Sequence, residues 1–198
     1  MASILVVCTG NVCRSPVAEG FLCSAVRRRF AERAPTVESV GTFGWEGSPA
    51  SPESVAAALE LGIDIAGHRA RRLEAEHLEG TGLVLAMASE HRTAVVRLAP
   101  ETAARTFTLK ELVRLLEALP VASGDADPVA ALAVRAAEAD ALRRNGFEGD
   151  PEDEDIADPL GLPIETYRAV AAELEEWCGR LTDGLFGRAH ARASAEGE

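Results

Sequence analysis

The chain has 198 residues, 47% hydrophobic and 26% charged, and a formal net charge of −12. That length supports a core of its own in a single domain, and the composition is that of a globular protein rather than a fibrous or disordered one. The acidic excess argues against nucleic acid or an anionic membrane as a partner, and no apolar run approaches the length of a membrane span.

Taken in order, the chain alternates strand-like and helix-like segments. Ser3–Val7, with the run Ile4-Leu5-Val6-Val7, reads as a buried strand. Pro16–Phe30 follows as a helix with Val17, Phe21, Ala25 and Val26 on one side. Val37–Gly41 is a short strand. Pro52–Leu61 is a helix with Val55, Leu59 and Leu61 inward, ended by Gly62 as a C-terminal cap. A short helix spans Leu73–Leu78, and Leu83–Met87 is apolar enough for a central strand. Ser89 is positioned to cap a helix over Ser89–Leu98. Arg105–Thr108 is the last strand. Thr108–Leu119 carries Leu109, Leu112, Val113 and Leu116 at helical spacing. Pro163–Leu181 closes the order with Ile164, Tyr167, Val170, Leu174 and Trp177 inward. This pattern predicts an α/β fold: three α-β-α layers around a four-stranded parallel sheet. Ligands of such sheets bind at the carboxyl ends of the strands.

Two segments stand apart. Residues 121–155 form an excursion with an Ala-rich helical middle, Pro128–Arg144, and an acidic, flexible end, Gly149–Asp155. It reads either as a mobile lid or docking helix, or as a solvated excursion with no role. Residues 186–198 read as a disordered tail, which leaves 1–185 as the domain.

The chemistry concentrates between the first strand and the first helix, at Cys8-Thr9-Gly10-Asn11-Val12-Cys13-Arg14-Ser15. Amides that open a helix lack intrahelical partners and sit at the positive end of its dipole. They hold phosphate, and a loop of inward-turned amides does the same. Gly10 permits a sharp bend and close backbone approach. Asn11 tolerates the left-handed region, and Pro16 suits the first helical turn. A helix start and a neighbouring guanidinium both favour thiolate over thiol, and a thiolate attacks phosphorus competently. Arg14 supplies a planar fork for two phosphate oxygens. Ser15 can donate to the Cys8 sulfur. The alternative for a strand-end cysteine is plain packing.

Val7-Cys8-Thr9-Gly10-Asn11-Val12-Cys13-Arg14-Ser15-Pro16 resembles the signature of the low-molecular-weight protein tyrosine phosphatases. The resemblance continues through Glu38–Thr42, Trp45, Gly47-Ser48-Pro49, Leu61–Asp64, His68–Arg71, Val84–Met87, Asp158-Pro159 and Tyr167-Arg168. It spans residues 3–183 apart from the excursion. It implies Cys8 as nucleophile, Arg14 as phosphate clamp, and Asp158 as general acid and then base. Thr9 to Ser15 would form the phosphate-binding loop, shaped by a network of Asn11, Ser15, Ser39 and His68. Val12, Trp45 and Leu160 would line the substrate pocket, with Trp45 as an aromatic wall. Cys13 would pair reversibly with Cys8 under oxidation, relieved by a thioredoxin-type reductant. No metal or organic cofactor is implied, since Arg14 and backbone amides supply the positive charge.

Three departures bear on substrate. Leu160 stands where tyrosine-specific relatives usually carry an aromatic residue. Val12 stands where phosphoarginine-specific members tend to carry threonine, and it has that shape without the hydroxyl. The arsenate reductases on this loop need further cysteines near the third strand, and this chain has none between Cys23 and Cys178. The leading expectation is therefore a phosphatase acting on protein phosphotyrosine or a small aryl phosphate. The alternatives are an arginine phosphatase, an arsenate reductase-like enzyme, or a non-catalytic phosphate-binding or thiol redox-sensing module. Four cysteines, two in one active loop, suit a reducing compartment. With no signal-type N-terminus, the expected location is cytoplasmic.

Overall fold

The structure, a computed structural model, describes residues 3–122, 127–147 and 153–188. Four strands, β1 (Ile4–Cys8), β2 (Val37–Gly41), β3 (Leu83–Ala86) and β4 (Thr106–Thr108), form one sheet in the order β2-β1-β3-β4. Every pairing is parallel, with Ile4 opposite Val37 on one side and Leu83 on the other. A parallel sheet is covered on both faces, which is why β1 and β3 are apolar at every position rather than alternating. Successive side chains still point to opposite faces. Ile4, Val6 and Cys8 join the larger cluster, with Leu22, Leu112, Leu174 and Leu181. Leu5 and Val7 join the smaller one, with Leu78, Val84 and Val95.

Among the described residues, seven α-helices cover these faces: α1 (Arg14–Phe30), α2 (Pro52–Glu60), α3 (Ala75–Leu78), α4 (Ser89–Leu98), α5 (Leu109–Glu117), α6 (Pro128–Arg144) and α7 (Ile164–Phe186). α1 begins at Arg14, two residues before the expected Pro16. Its first turn contains no acidic residue and its N-cap, Cys13, makes no side-chain cap. Its opening amides are thus left for something else to satisfy. α2 starts on Ser51, whose hydroxyl accepts from Ser54 N–H at 3.1 Å. It ends at Gly62 as expected: φ is +81°, Gly62 N–H bonds Leu59 O, and Ile63 N–H bonds Ala58 O. That is a Schellman ending.

Several local expectations are corrected. Leu59 is 59% exposed, and α2 buries Ser54, Ala57 and Ala58 instead. Val55 and Leu61 do pack against the core, partly buried, so of the three residues expected inward only Leu59 turns to solvent. Ser89 does not cap α4. It is the first helical residue, and its N–H donates to Asp155 Oδ1 at 2.7 Å. The cap comes from an acid 66 residues further on. α5 carries a reciprocal capping box between Thr108 and Glu111.

The excursion is packed over much of its described length. α6 is capped by Asp127 and buries Leu132, Ala136 and Ala139. Arg143 stacks over the Phe107 ring at 4.3 Å and donates to Thr106 O and Ala103 O. Residues 149–152 of the acidic stretch and 189–198 of the tail lie outside the described residues. Among the described residues no helix is long and apolar enough to cross a membrane.

One close approach positions the site. Gly41 ends β2 against the loop after β1. A Cβ there would lie 2.5 Å from Thr9 O and 2.9 Å from Asn11 N, both backbone atoms that cannot swing aside. Gly41→Ala is therefore expected to destabilise the fold by about 1–3 kcal/mol. Urea unfolding should show a lower midpoint at unchanged slope; an unchanged midpoint would show that the loop gives way freely.

Candidate active site

Thr9–Cys13 bridges β1 to α1 at the carboxyl edge of the sheet. Its carbonyls are turned outward and bonded there. Cys8 O accepts from Thr42 N–H, Thr9 O from Phe43 and Gly44 N–H, Gly10 O from Trp45 N–H, and Val12 O from Ser51 N–H, at 2.8–3.2 Å. Asn11 O accepts from His68 Nε2 at 2.8 Å. A carbonyl can only accept, so that nitrogen carries the proton. In a planar trans peptide the N–H points opposite the C=O. Outward carbonyls therefore turn the loop's amides inward, and Asn11 N–H reaches Cys8 Sγ at 3.3 Å.

Asn11 holds this shape. Its φ is +57°, the left-handed region. Its Oδ1 accepts from Arg71 N–H at 2.8 Å, and its Nδ2 donates to Ser15 Oγ at 2.9 Å and Ser39 Oγ at 2.8 Å. Ser39 in turn donates to Glu19 Oε2 at 2.5 Å. Because Ser15 Oγ receives the Asn11 proton, its own hydrogen is free for Cys8 Sγ, 2.9 Å away. The four expected network residues are thus brought together, and Glu19 and Arg71 complete the set. Gly10 is not in the left-handed region, and a Cβ there would meet Val12 and Trp45 at 3.4–3.6 Å, ordinary contact. The sharp bend expected of Gly10 falls on Asn11 instead.

Arg14 is 5% exposed and reaches across to the segment before α7. Nη1 donates to Ile156 O at 3.1 Å; Nη2 donates to Asp158 Oδ2 at 2.5 Å and to Thr9 Oγ1 at 3.2 Å. Its Nε is buried with no partner. Asp158 also forms a turn, since its Oδ1 accepts from Leu160 N–H at 3.1 Å. The turn and the ion pair use different oxygens of one carboxylate. Thr9 Oγ1 has a second neighbour, His91 Nε2, at 2.8 Å.

The mobile-lid expectation gives way at the described end of the excursion. Asp153 pairs with Lys110 and Arg114, each at 2.7 Å, and Lys110 also pairs with Glu173 at 2.6 Å. Asp155 caps α4, and Ile156 N–H bonds Met87 O at 2.8 Å, continuing from the end of β3. Charge pairs and a backbone bond thus deliver Asp158 to Arg14.

Cys13 is buried against Ser51, and burial pushes its thiol up. Val12 is buried too. Trp45 packs its indole against Gly10 and is 49% exposed, Leu160 is 44% exposed, and Phe43, absent from the sequence reading, is 71% exposed. Glu19, His91 and Phe43 had no motif to mark them, and Arg71 lay in the His68–Arg71 segment with no role attached to it. Only the Gly41-Thr42 turn hinted that Phe43 stands beside the loop.

The geometry matches known proteins. A family model described as low molecular weight phosphotyrosine protein phosphatase matches residues 3–122. A protein-arginine-phosphatase of Geobacillus stearothermophilus is 37% identical over 184 residues, 92% of this chain and 95% of that one. The low molecular weight protein-tyrosine-phosphatase Etp of Escherichia coli is 41% identical over 105 residues, 53% of this chain and 67% of that one. Among solved structures, a low molecular weight protein tyrosine phosphatase from T. tengcongensis superposes with TM-score 0.65 at 36% identity, covering 91% of this chain and 97% of that one.

The clasp at Lys110 generates a prediction. Burial alone would lower the Lys110 ammonium, but bonds from Asp153 and Glu173 carry it above its usual value. The same Lys110 bond holds the Asp153 carboxyl below its usual value. Asp153 thus contributes stability that is present above its ordinary value of 3.8 and lost as the pH falls through its folded value. Lys110→Met should destabilise by about 1–3 kcal/mol, less than for a fully buried pair because both acids touch water. Thermal unfolding between about pH 5 and 3 should show a shallower acid loss in the variant. Equal slopes would remove the clasp.

Proposed function

Because the chain belongs to the low molecular weight phosphotyrosine protein phosphatase family, we propose that it hydrolyses phosphotyrosine-type phosphomonoesters through a phosphocysteine on Cys8. The observation that carries this reading is Arg14. Its two terminal nitrogens are held from outside while its buried Nε faces no protein acceptor. A donor edge left open beside a thiol and a ring of inward amides is what a phosphate oxygen satisfies. Cys8 sulfur attacks phosphorus as the bond to the ester oxygen breaks, and Asp158 gives that oxygen a proton. The Asp158 carboxylate then takes a proton from water as its oxygen attacks phosphocysteine, releasing inorganic phosphate and the thiolate. Ser15 stabilises the sulfur both as nucleophile and as leaving group.

Aryl esters are favoured by the exposed apolar side chains at the site, Phe43, Trp45 and Leu160. Val12 offers no hydroxyl to a guanidinium. A second reading, phosphoarginine as substrate, is favoured by one finding: the relative matched along 92% of the chain bears that activity in its name, whereas the Escherichia coli tyrosine phosphatase matches 53%. The free cysteines suit the cytoplasm, where a thioredoxin-type dithiol would reverse any Cys8–Cys13 oxidation.

Phosphotyrosine and phosphoarginine peptides should be compared side by side under reducing conditions, with Cys8→Ser as control. Faster release from phosphotyrosine supports the aryl slot, and faster release from phosphoarginine replaces it. Turnover of neither would leave a binding or redox module. Cys8→Ser should abolish turnover while phosphate still binds. Asp158→Asn should slow phenyl phosphate far more than p-nitrophenyl phosphate, since only a poor leaving group needs the proton. Equal slowing of both esters would take Asp158 out of the acid role.

A further inference from the structure

His91 sits in the first turn of α4 and has no place in the network expected for the loop. It is 1% exposed, and its Nδ1 is buried without a partner. Its Nε2 lies 2.8 Å from Thr9 Oγ1, a residue 82 positions earlier. That hydroxyl also accepts from Arg14 Nη2 at 3.2 Å. A buried polar ring with one nitrogen unsatisfied is costly, and an apolar side chain would fill the same space without that cost. The one bond His91 makes from its ring to the loop is therefore the feature that needs an explanation.

We propose that His91 is a positioning residue of the phosphatase site, acting through the Thr9 hydroxyl to aim the guanidinium of Arg14. The inference rests on reading Cys8 and Arg14 as the oxyanion site. A guanidinium grips two phosphate oxygens only when its plane is correctly turned. Here the plane has two supports on its terminal nitrogens besides Asp158. Ile156 O holds Nη1 and Thr9 Oγ1 holds Nη2. Thr9 Oγ1 is placed by the side-chain χ1 rotamer, and the bond to His91 favours the rotamer in which Oγ1 faces Arg14. This support does not depend on Asp158, so it persists when the acid turns to the leaving group.

The ring does this without adding charge. Burial, and then the Arg14 charge, lower His91 to about 4. Asp158 and Asp155 act in the opposite direction more weakly, and Glu90 Oε1 lies 3.4 Å from Nε2. Across the neutral range His91 is thus an uncharged strut beside a permanent cation.

The test uses the full chain and four variants: His91→Leu, His91→Gln, Thr9→Val and the Thr9→Val/His91→Leu double. kcat and KM are measured on p-nitrophenyl phosphate between about pH 5 and 8, and the dissociation constant for inorganic phosphate by calorimetry. His91→Leu and Thr9→Val should each lower kcat/KM by about 10- to 100-fold and weaken phosphate binding. The double variant should be no worse than either single one, because both remove one support. His91→Gln, whose amide nitrogen can still reach Thr9, should recover most of the loss, and the pH limbs should not move. Additive losses, a displaced acid limb in His91→Gln, or phosphate affinity within about twofold of the parent in Thr9→Val would overturn the inference. If His91→Leu does not fold, the Thr9→Val phosphate affinity decides alone. Turnover that survives Cys8→Ser would instead sink the phosphatase reading, and phosphate affinity reads the two apart.

Discussion

The site depends on one backbone constraint: five successive carbonyls must face outward so that the amides between them face one sulfur. Asn11 sits at the centre of that turn in a left-handed conformation that costs most residues about 1–2 kcal/mol. Its short amide offsets the cost by bonding in both directions. Arg71 N–H meets its carbonyl, and Ser15 and Ser39 meet its amine. Every further feature follows from this arrangement. The Ser15 proton is turned toward Cys8 because Asn11 occupies its oxygen. Arg71 is in place because residues 71–73 pair with Gly41 at the end of β2. Gly41 itself bears no side chain because the loop lies directly against it.

Electrostatics act at two ranges here. The formal charge of −12 does not oppose an anionic substrate, because exposed charges beyond a Debye length are screened at cellular salt. Contacts within hydrogen-bond distance decide the site instead. Part of the acidic excess even serves it. Asp153, Asp155 and Asp158 are spent on Lys110 and Arg114, the start of α4, and Arg14 respectively. The basic residues that receive Asp153 and Asp158 lie on α5 and α1, two separate elements, and Asp155 is received by the Ser89 N–H that opens α4. The acid-bearing segment is therefore a strap tied at several points. The apolar side chains around it, Phe43, Trp45 and Leu160, come from two different loops. In the proposed function, the exposed apolar wall and the reacting groups would come from different segments, with Val12 shared between them. Loops can vary what is admitted while the bonded loop below them keeps its shape.

The sequence by itself determined the sheet and the nucleophile loop. Apolar runs at Ile4–Val7 and Leu83–Met87 have no reading but buried parallel strands once helices alternate with them. Cys8, Asn11, Arg14 and Ser15 are legible because their chemistry is set by neighbours in the chain: a strand end, a tight turn and a helix start. Asp158 was marked only by the resemblance of its Asp-Pro segment. What only the tertiary structure decided is everything that joins distant segments. Glu19 behind Ser39, His91 behind Thr9, Lys110 under Asp153, and Asp155 in place of Ser89 as the cap of α4 leave no local pattern. Leu59 shows the same limit, since helical spacing cannot say how far round a helix its neighbour's cover will reach. Thr9 and His91 are 82 residues apart, and Arg14 and Asp158 are 144 apart. Periodicity and turn chemistry act over a few residues, whereas such pairs meet only after packing has brought separate elements to one edge of the sheet.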